Sequence, residues 1–208
     1  MEGGLSDFSR ISNISNRAST SLGSGKGFIA GVTLRQPVRP WLYLTLAPGL
    51  IQKGYTLNRT DSLFGEFENF RDTYVQLPVG LAFYHAWGRL GLFADAGLYA
   101  GYWMYGRVKG RAADIFSVTE QGGGTEQFTL RDYSAPYAFL PSRDERWEWG
   151  GYLGLEGSYR LKGNWGCTAA CRYFTAFNSQ ERNNPAYNQA WAFSLGIQRS
   201  ISKAKHGP

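Results

Sequence analysis

Charged residues interrupt segments of the chain that are otherwise apolar or small. Asp95, Glu156 and Arg172 each stand within such a segment. Charges in this setting serve as acid–base catalysts, as ion-transport groups or as partners in a buried ion pair. Because a buried charge without a partner carries a large desolvation cost, we predict that these three residues form a structural ion network. Three further charged residues are predicted to point into the interior of the protein together with them: Arg35, Lys53 and Glu148.

The sequence offers few groups for catalysis. Nucleophilic catalysis requires a general base beside the nucleophile, and the chain has only two histidines. His85 falls in a predicted short turn, and His206 falls in the C-terminal tail. Glu145 and Glu148 could form a carboxylate pair with Asp114, but acidic loop residues are more often solvated. We therefore expect no catalytic residue and no enzyme activity.

The two cysteines are not expected to bind a metal or to form a disulfide. Cys167 and Cys171 lie on one predicted strand, where four residues span roughly 13 Å. Bridged cysteines have Cα atoms within about 7 Å of each other. The sequence therefore predicts two free thiols, and it indicates no cofactor or metal ligand.

The clearest structural pattern runs from Leu90 to Met104. Every even position there is apolar, while the odd positions hold Asp95 together with glycine, tyrosine and other residues. Side chains on a strand alternate between two faces, and about 9–11 residues suffice to cross a bilayer at a tilt. Since lipid cannot satisfy an open sheet edge, one such strand requires a closed set of them. This segment therefore predicts a transmembrane β-barrel.

Eight strands are predicted from the same alternation. The weakest is the polar first strand, which makes the number even, as in bacterial single-chain barrels. The predicted strands cover residues 3–12, 28–36, 42–53, 74–84, 90–104, 147–159, 165–175 and 189–201. Between them, long connections at 13–26, 57–72, 110–146 and 176–188 alternate with short turns at 37–40, 85–89 and 160–164.

This rhythm of connections predicts a fold class and an orientation. It is typical of a single-domain, all-β, eight-stranded antiparallel outer-membrane barrel with short periplasmic turns. Both termini, including the basic tail at 202–208, are expected in the periplasm. Met1 is followed at once by Glu2 rather than by a basic and apolar leader, so we expect an exported precursor to be trimmed before residue 1.

The composition agrees with a membrane barrel and argues against other classes. Mean hydropathy is −0.35, because alternation dilutes the apolar residues. A soluble barrel would place its apolar rows inside, whereas here the apolar rows lie opposite polar ones. The formal charge is +6, but the 22 lysines and arginines are scattered, so no nucleic-acid partner is expected.

The connection 110–146 is the preferred candidate for a binding surface. Its glycine-rich centre at 121–125 is surrounded by aromatic residues. Connections of this length are usually functional or disordered. The alternative is a folded cap over the barrel mouth. The candidate docking residues are Phe116, Phe128, Tyr133, Tyr137 and Phe139.

Two segments carry a resemblance to a known family. Both segments are similar to the PorT-like outer-membrane β-barrels of Bacteroidetes. They are residues 74–81, Tyr-Val-Gln-Leu-Pro-Val-Gly-Leu, and residues 92–102, Leu-Phe-Ala-Asp-Ala-Gly-Leu-Tyr-Ala-Gly-Tyr. Further weak matches follow in order, at 4–9, 27–31, 53–54 and 171–173. The chain departs from the family at Gln76, where an acidic residue is common, and in its non-aromatic C-terminus.

The resemblance implies an integral outer-membrane component and, for PorT itself, a part in type IX protein secretion. We therefore expect a non-enzymatic subunit of an outer-membrane assembly for protein secretion or protein insertion. Its expected partners are outer-membrane lipid or lipopolysaccharide and other outer-membrane or periplasmic subunits. The alternative is a stand-alone surface barrel that binds an extracellular ligand through 110–146.

Overall fold

Period-two alternation makes most of the chain extended in the computed structural model, which describes residues 1–12, 20–59, 65–121, 125–182 and 185–200. Within these ranges, side chains are described except at 10–12, 115–121 and 125–128. No helix among these residues is long and apolar enough to cross a membrane. The strands are β1 Glu2–Ser12, β2 Thr20–Gly31, β3 Leu34–Arg39, β4 Leu42–Leu46, β5 Gly49–Arg59, β6 Phe67–Trp87, β7 Leu90–Gln121, β8 Thr125–Pro136, β9 Trp147–Arg160, β10 Trp165–Ala176 and β11 Ala186–Arg199.

The strands close into a ring of antiparallel neighbours. Strand β1 pairs with β2 on one side and with β11 on the other, and β6 pairs with β7. Strands β2 and β3 form one wall of the ring, and β4 and β5 form the next. The predicted eight-stranded antiparallel barrel is therefore confirmed. In the sheet order, β3 and β8 are the two end strands.

Two neighbouring predicted strands are interrupted at the same level along the barrel axis. The predicted strand 28–36 is interrupted at Val32 and Thr33, and the predicted strand 42–53 is interrupted at Ala47 and Pro48. Pro48 has no N–H to contribute to a ladder, although its carbonyl accepts from the Val32 N–H. The two breaks are therefore adjacent and are joined by this hydrogen bond.

The expected connections are shorter than predicted. Strand β2 begins at Thr20 and β6 begins at Phe67, inside the expected loops 13–26 and 57–72. The expectation of a loop at 110–146 is wrong for most of its length, because β7 and β8 form a long β-hairpin there. Outside the membrane both faces of a strand meet water, so apolar alternation no longer marks it.

The two faces of the wall differ as predicted for a membrane barrel. On β7, Leu98 is 65% exposed, whereas its neighbour Tyr99 is 3% exposed. Exposed apolar side chains also line the outer faces of β4, β6, β9 and β11, while buried polar groups lie inside. Exposed tryptophans and tyrosines stand near both ends of the wall: Tyr105, Trp147, Trp149 and Trp191 at one end, and Trp41, Trp87, Tyr159 and Trp165 at the other.

A β-bulge reverses the alternation of β7 near its membrane exit. The register with β6 shifts between Thr73, which lies opposite Tyr105, and Tyr74, which lies opposite Trp103. Met104 is the additional residue, so both Met104 and Tyr105 are exposed. Trp103, on the same face of β7 as Tyr99, is buried in the interior.

Glycines at close contacts between strands provide a test of the strand packing. A Cβ atom at Gly97 would lie 2.2 Å from the Val79 carbonyl oxygen and 2.5 Å from the Gly80 Cα, whereas one at Gly157 would meet its nearest atom at 4.0 Å. We expect Gly97→Ala to lower the free energy of unfolding by about 1–3 kcal/mol, since it overpacks backbone against backbone. Gly157→Ala is the matched control. Urea unfolding in lipid vesicles measures both, and equal stability of the two variants would contradict this packing.

Candidate functional site

An ion network lies in the half of the barrel near the short turns. Arg172, on β10, donates to Glu2 Oε1 at 2.8 Å and to Glu156 Oε2 at 3.3 Å. Its Nε lies 3.6 Å from Asp95 Oδ2. The structure thus brings the three predicted residues Asp95, Glu156 and Arg172 together around one guanidinium group.

Two further charged residues complete this network. Arg35 donates to both oxygens of Glu156 at 2.7 Å, and its guanidinium lies 4.1 Å from the centre of the Phe93 ring. Glu2 also accepts from Thr33 and Ser194. Arg35 was expected inside, but Glu2 was missed, because the polar first strand shows no apolar alternation that would reveal its inner face.

Gln76 lies in a cleft beside this network. The cleft is small, and Glu2, Ile29, Gln76 and Arg172 are among its lining residues. Gln76 is buried, and its side-chain oxygen has no hydrogen-bond donor among the described residues. Here Glu2 supplies a carboxylate to Arg172 from the first strand.

A second ion pair lies closer to the hairpin end. The Lys53 amino group on β5 donates to Glu148 on β9, and both side chains are 1% exposed or less. Tyr99 also donates to Glu148, at 2.9 Å, and so does Asn188. The Lys53 Nζ lies 4.6 Å from the centre of the Tyr74 ring. Buried Lys and Glu require such partners, and both carboxylate oxygens of Glu148 accept a hydrogen bond here.

Aromatic side chains fill the space around the two charged clusters. Phe174 contacts both Tyr99 and Tyr152, with ring centres 5.5 and 5.8 Å apart. Tyr74 stacks on Trp103 at 5.9 Å. An eight-stranded barrel is just wide enough for side chains to fill its interior. The arrangement is that of a packed core in which the charges neutralise one another.

The segment 137–146 covers the barrel mouth at the hairpin end. Tyr137 and Phe139 pack against Trp103, with ring centres 5.0 and 4.8 Å away. The buried carboxylate of Asp144 accepts from the Tyr137 hydroxyl at 3.0 Å and from the Leu140 N–H at 2.8 Å. Burial, together with Asp144, raises the pKa of Tyr137, so its hydroxyl stays protonated as a donor. Tyr137 and Phe139 are therefore partly buried against the barrel core, which fits the alternative of a folded cap, and their role in docking stays a prediction.

The other predicted docking residues lie on the hairpin. Phe116 stands on β7 and Phe128 on β8, where only their backbone is described. Tyr133 is 37% exposed and donates to Glu68 at 2.6 Å. Burial and this hydrogen bond raise the pKa of Tyr133 to about 12. Arg111 and Asp132 form an exposed ion pair across the hairpin at 2.7 Å.

The hydrogen-bond register of the hairpin shows which backbone groups of β8 point away from β7. The Tyr137 N–H donates to the Gly106 carbonyl at 2.8 Å, in register with the β7–β8 ladder. Hydrogen-bonded pairs alternate along an antiparallel ladder, so the next ones involve Ala135 and Tyr133. The N–H groups of Leu130, Asp132 and Ser134 therefore point away from β7. Among the described strands, β7 is the only partner of β8.

Residues 1–180 match the family described as outer membrane protein beta-barrel domain. The chain belongs to this family. Membership in this family, together with the apolar outer face of the strands, assigns the chain to the outer membrane. No curated protein matches its sequence.

Two solved structures are similar to this outer-membrane barrel. The attachment invasion locus protein Ail of Yersinia pestis is 12% identical, with 94% of each chain covered and a TM-score of 0.39. Neisserial surface protein A is 10% identical, with 96% of this chain and 95% of the other covered and a TM-score of 0.44.

The Lys53–Glu148 pair of the outer-membrane barrel can be tested by a double substitution. Removing only one partner of a buried ion pair costs about 3–5 kcal/mol, because a charge stays buried without compensation. We expect Lys53→Met to lower the free energy of unfolding by this amount and Lys53→Met with Glu148→Gln to recover at least half of the loss. Urea unfolding in lipid vesicles checks both variants. A double variant that is less stable than Lys53→Met would refute the pairing.

The two arginines of the other network should differ in importance. Arg172 faces three carboxylates, whereas the loss of Arg35 leaves Glu156 in contact with Arg172. We expect Arg172→Met to destabilise the barrel by about 3–5 kcal/mol and Arg35→Met to do so by clearly less. The same unfolding measurement ranks them, and the reverse order would mean that Arg172 is not the central cation.

Proposed function

We propose that this outer-membrane barrel is a non-enzymatic anchor whose β7–β8 hairpin binds a protein partner. The partner adds an extended segment to the free edge of β8. The single observation that carries this proposal is that edge, with the N–H groups of Leu130, Asp132 and Ser134 pointing away from β7. An exposed strand edge is a template for pairing with another chain, and strand addition is a common mode of peptide recognition.

The packed interior supports an anchoring role over transport or catalysis. The carboxylates of Glu148 and Glu156 are held by Lys53 and Arg35, respectively. A proton shuttle or a general base requires a carboxylate that is open to its substrate. The segment around Tyr137 covers one mouth of the barrel with further aromatic packing.

The proposed orientation places the hairpin outside the cell. The turn at Gly88, which has a positive φ of 62°, connects β6 to β7 in two residues, and both Met1 and Ser200 lie at this same short-turn end. Bacterial barrels have short periplasmic turns and longer extracellular connections. The hairpin then projects from the outer surface, and the described ends of the chain face the periplasm.

The resemblance to PorT-like barrels supports a partner within an outer-membrane assembly, such as one for protein secretion or insertion. That membership stays a prediction, as does the alternative of an extracellular partner. Both readings use the same hairpin edge. They differ in whether the partner is extracted together with the barrel from the membrane of its own cell.

The free edge can be blocked without disturbing the hairpin. We expect Ser134→Pro to abolish partner binding, because proline removes an outward N–H, whereas Ser134→Ala retains binding. A second variant replaces residues 111–132 by Asn-Gly, which suits a two-residue turn between the hydrogen-bonded pair Gly110 and Tyr133. Gentle detergent extraction followed by mass analysis of the co-purifying chains measures the complex.

The outcomes of this experiment separate the hypotheses. Loss of a co-extracted chain from Ser134→Pro and from the shortened hairpin, but not from Ser134→Ala, supports a subunit that docks through β8. Retention of that chain by both variants would refute the hairpin as the binding surface. Recovery of a lone 23.2 kDa species from the parent would refute the subunit role. Thermal unfolding of each variant controls for folding.

A further inference from the structure

Two arginines face each other on the outer surface of the wall, just beyond the aromatic belt at the hairpin end. Arg71 on β6 lies directly opposite Arg107 on β7, and both side chains are exposed. Lys109, also exposed, follows on the same face of β7, opposite Asn69. Directly opposed residues on paired strands have Cβ atoms about 5 Å apart, and like charges in this position destabilise the pair.

No described carboxylate forms an ion pair with these arginines. Two other arginines at this end of the barrel do form ion pairs: Arg111 with Asp132 at 2.7 Å, and Arg182 with Glu145 at 3.2 Å. Lys109 lies opposite Ser134 on β8, and the nearest acidic residue on this face of β8 is Asp132. Asp132 lies opposite Arg111 and already forms an ion pair with it. The cluster of Arg71, Arg107 and Lys109 therefore carries three positive charges that nothing in the described protein neutralises.

The depth of the cluster matches a lipid head group. Val75, 43% exposed, belongs to the apolar surface, and the next outward level holds Thr73 opposite Tyr105, which is 47% exposed. Arg71 and Arg107 form the level after that. Four residues of strand from Val75 to Arg71 span about 13 Å along the strand. Along the strand, an apolar residue is followed by an aromatic ring and then by a pair of cations. A bilayer presents its acyl chains, its interface and its phosphates in the same order.

We infer that Arg71, Arg107 and Lys109 form a binding site for the phosphate groups of an anionic membrane lipid. A guanidinium binds phosphate through two parallel hydrogen bonds, and two guanidinium groups on adjacent strands can bind one phosphate or two neighbouring ones. A bound phosphate removes the repulsion between the arginines. The choice of leaflet rests on the orientation in the proposed function. With the hairpin outside the cell, the lipid is a phosphorylated glycolipid of the outer leaflet.

The test measures binding of lipid A to the barrel in a neutral maltoside detergent by native mass spectrometry. The test variant is Arg71→Gln with Arg107→Gln. The matched control is Arg111→Gln with Arg182→Gln, which removes two charges at the same end from arginines that have acid partners. Each lost charged hydrogen bond is worth about 1.5–3 kcal/mol, and about 1.4 kcal/mol corresponds to a tenfold change in affinity. We therefore expect the test variant to bind lipid A at least about tenfold more weakly than the parent, and the control to stay within about twofold of the parent.

Two further ligands separate the sources of binding. Lipid A without its phosphates should bind the parent as weakly as lipid A binds the test variant, and inorganic phosphate should not compete at millimolar concentration. Equal losses in test and control variants, undiminished binding of the dephosphorylated lipid, or effective competition by inorganic phosphate would overturn the inference. Ser134→Pro should bind lipid A normally, so the failure of this site and of the proposed hairpin function can be told apart.

Discussion

Closure of the sheet through β1 is the constraint on which the rest of the structure depends. A wall surrounded by lipid cannot leave its backbone groups without partners, so the first strand must pair with the last as well as with the second. Strand β1 is the most polar of the walls and does so along its whole length with β11. The side chain that fixes it is Glu2, which contacts Arg172 on β10, Thr33 and Ser194. The ion network is therefore part of the closure and also neutralises interior charge.

The same constraint explains the distribution of polarity. Lipid outside the wall forces apolar side chains outward, so charges that a soluble protein would place on its surface are confined to a narrow interior. There they are compatible with folding only as sets in which each charge has a partner, as Lys53 has in Glu148. The aromatic side chains between the two networks fill the remaining space. Where the wall leaves the membrane, the constraint ends, and β8 can keep a free edge.

Much of this was predictable from alternation alone. The faces of β7, the number of walls and the inward position of Asp95, Glu156 and Arg172 followed from apolar residues at every second position. The hairpin was not predictable in this way, because strands in water lose that signal. Gln121 to Thr125, a glycine-rich stretch, indicated a connection, but the strands on either side of it are recognisable only by their mutual hydrogen bonds. The packing of Tyr137 and Phe139 was not predictable either, because an exposed aromatic residue and one folded back over Trp103 look alike in a sequence.

The sequence by itself determined that this chain crosses a membrane as a barrel, since a period-two pattern of apolar residues depends only on neighbours along one strand. It also determined which charges had to be neutralised inside. Only the tertiary structure decided which charges pair, that Glu2 joins Arg172, that a bulge at Met104 turns Tyr105 outward, and that Arg71 meets Arg107. Each of these depends on the register between strands distant in sequence. Register arises from the closure of the whole ring, so no local pattern contains it.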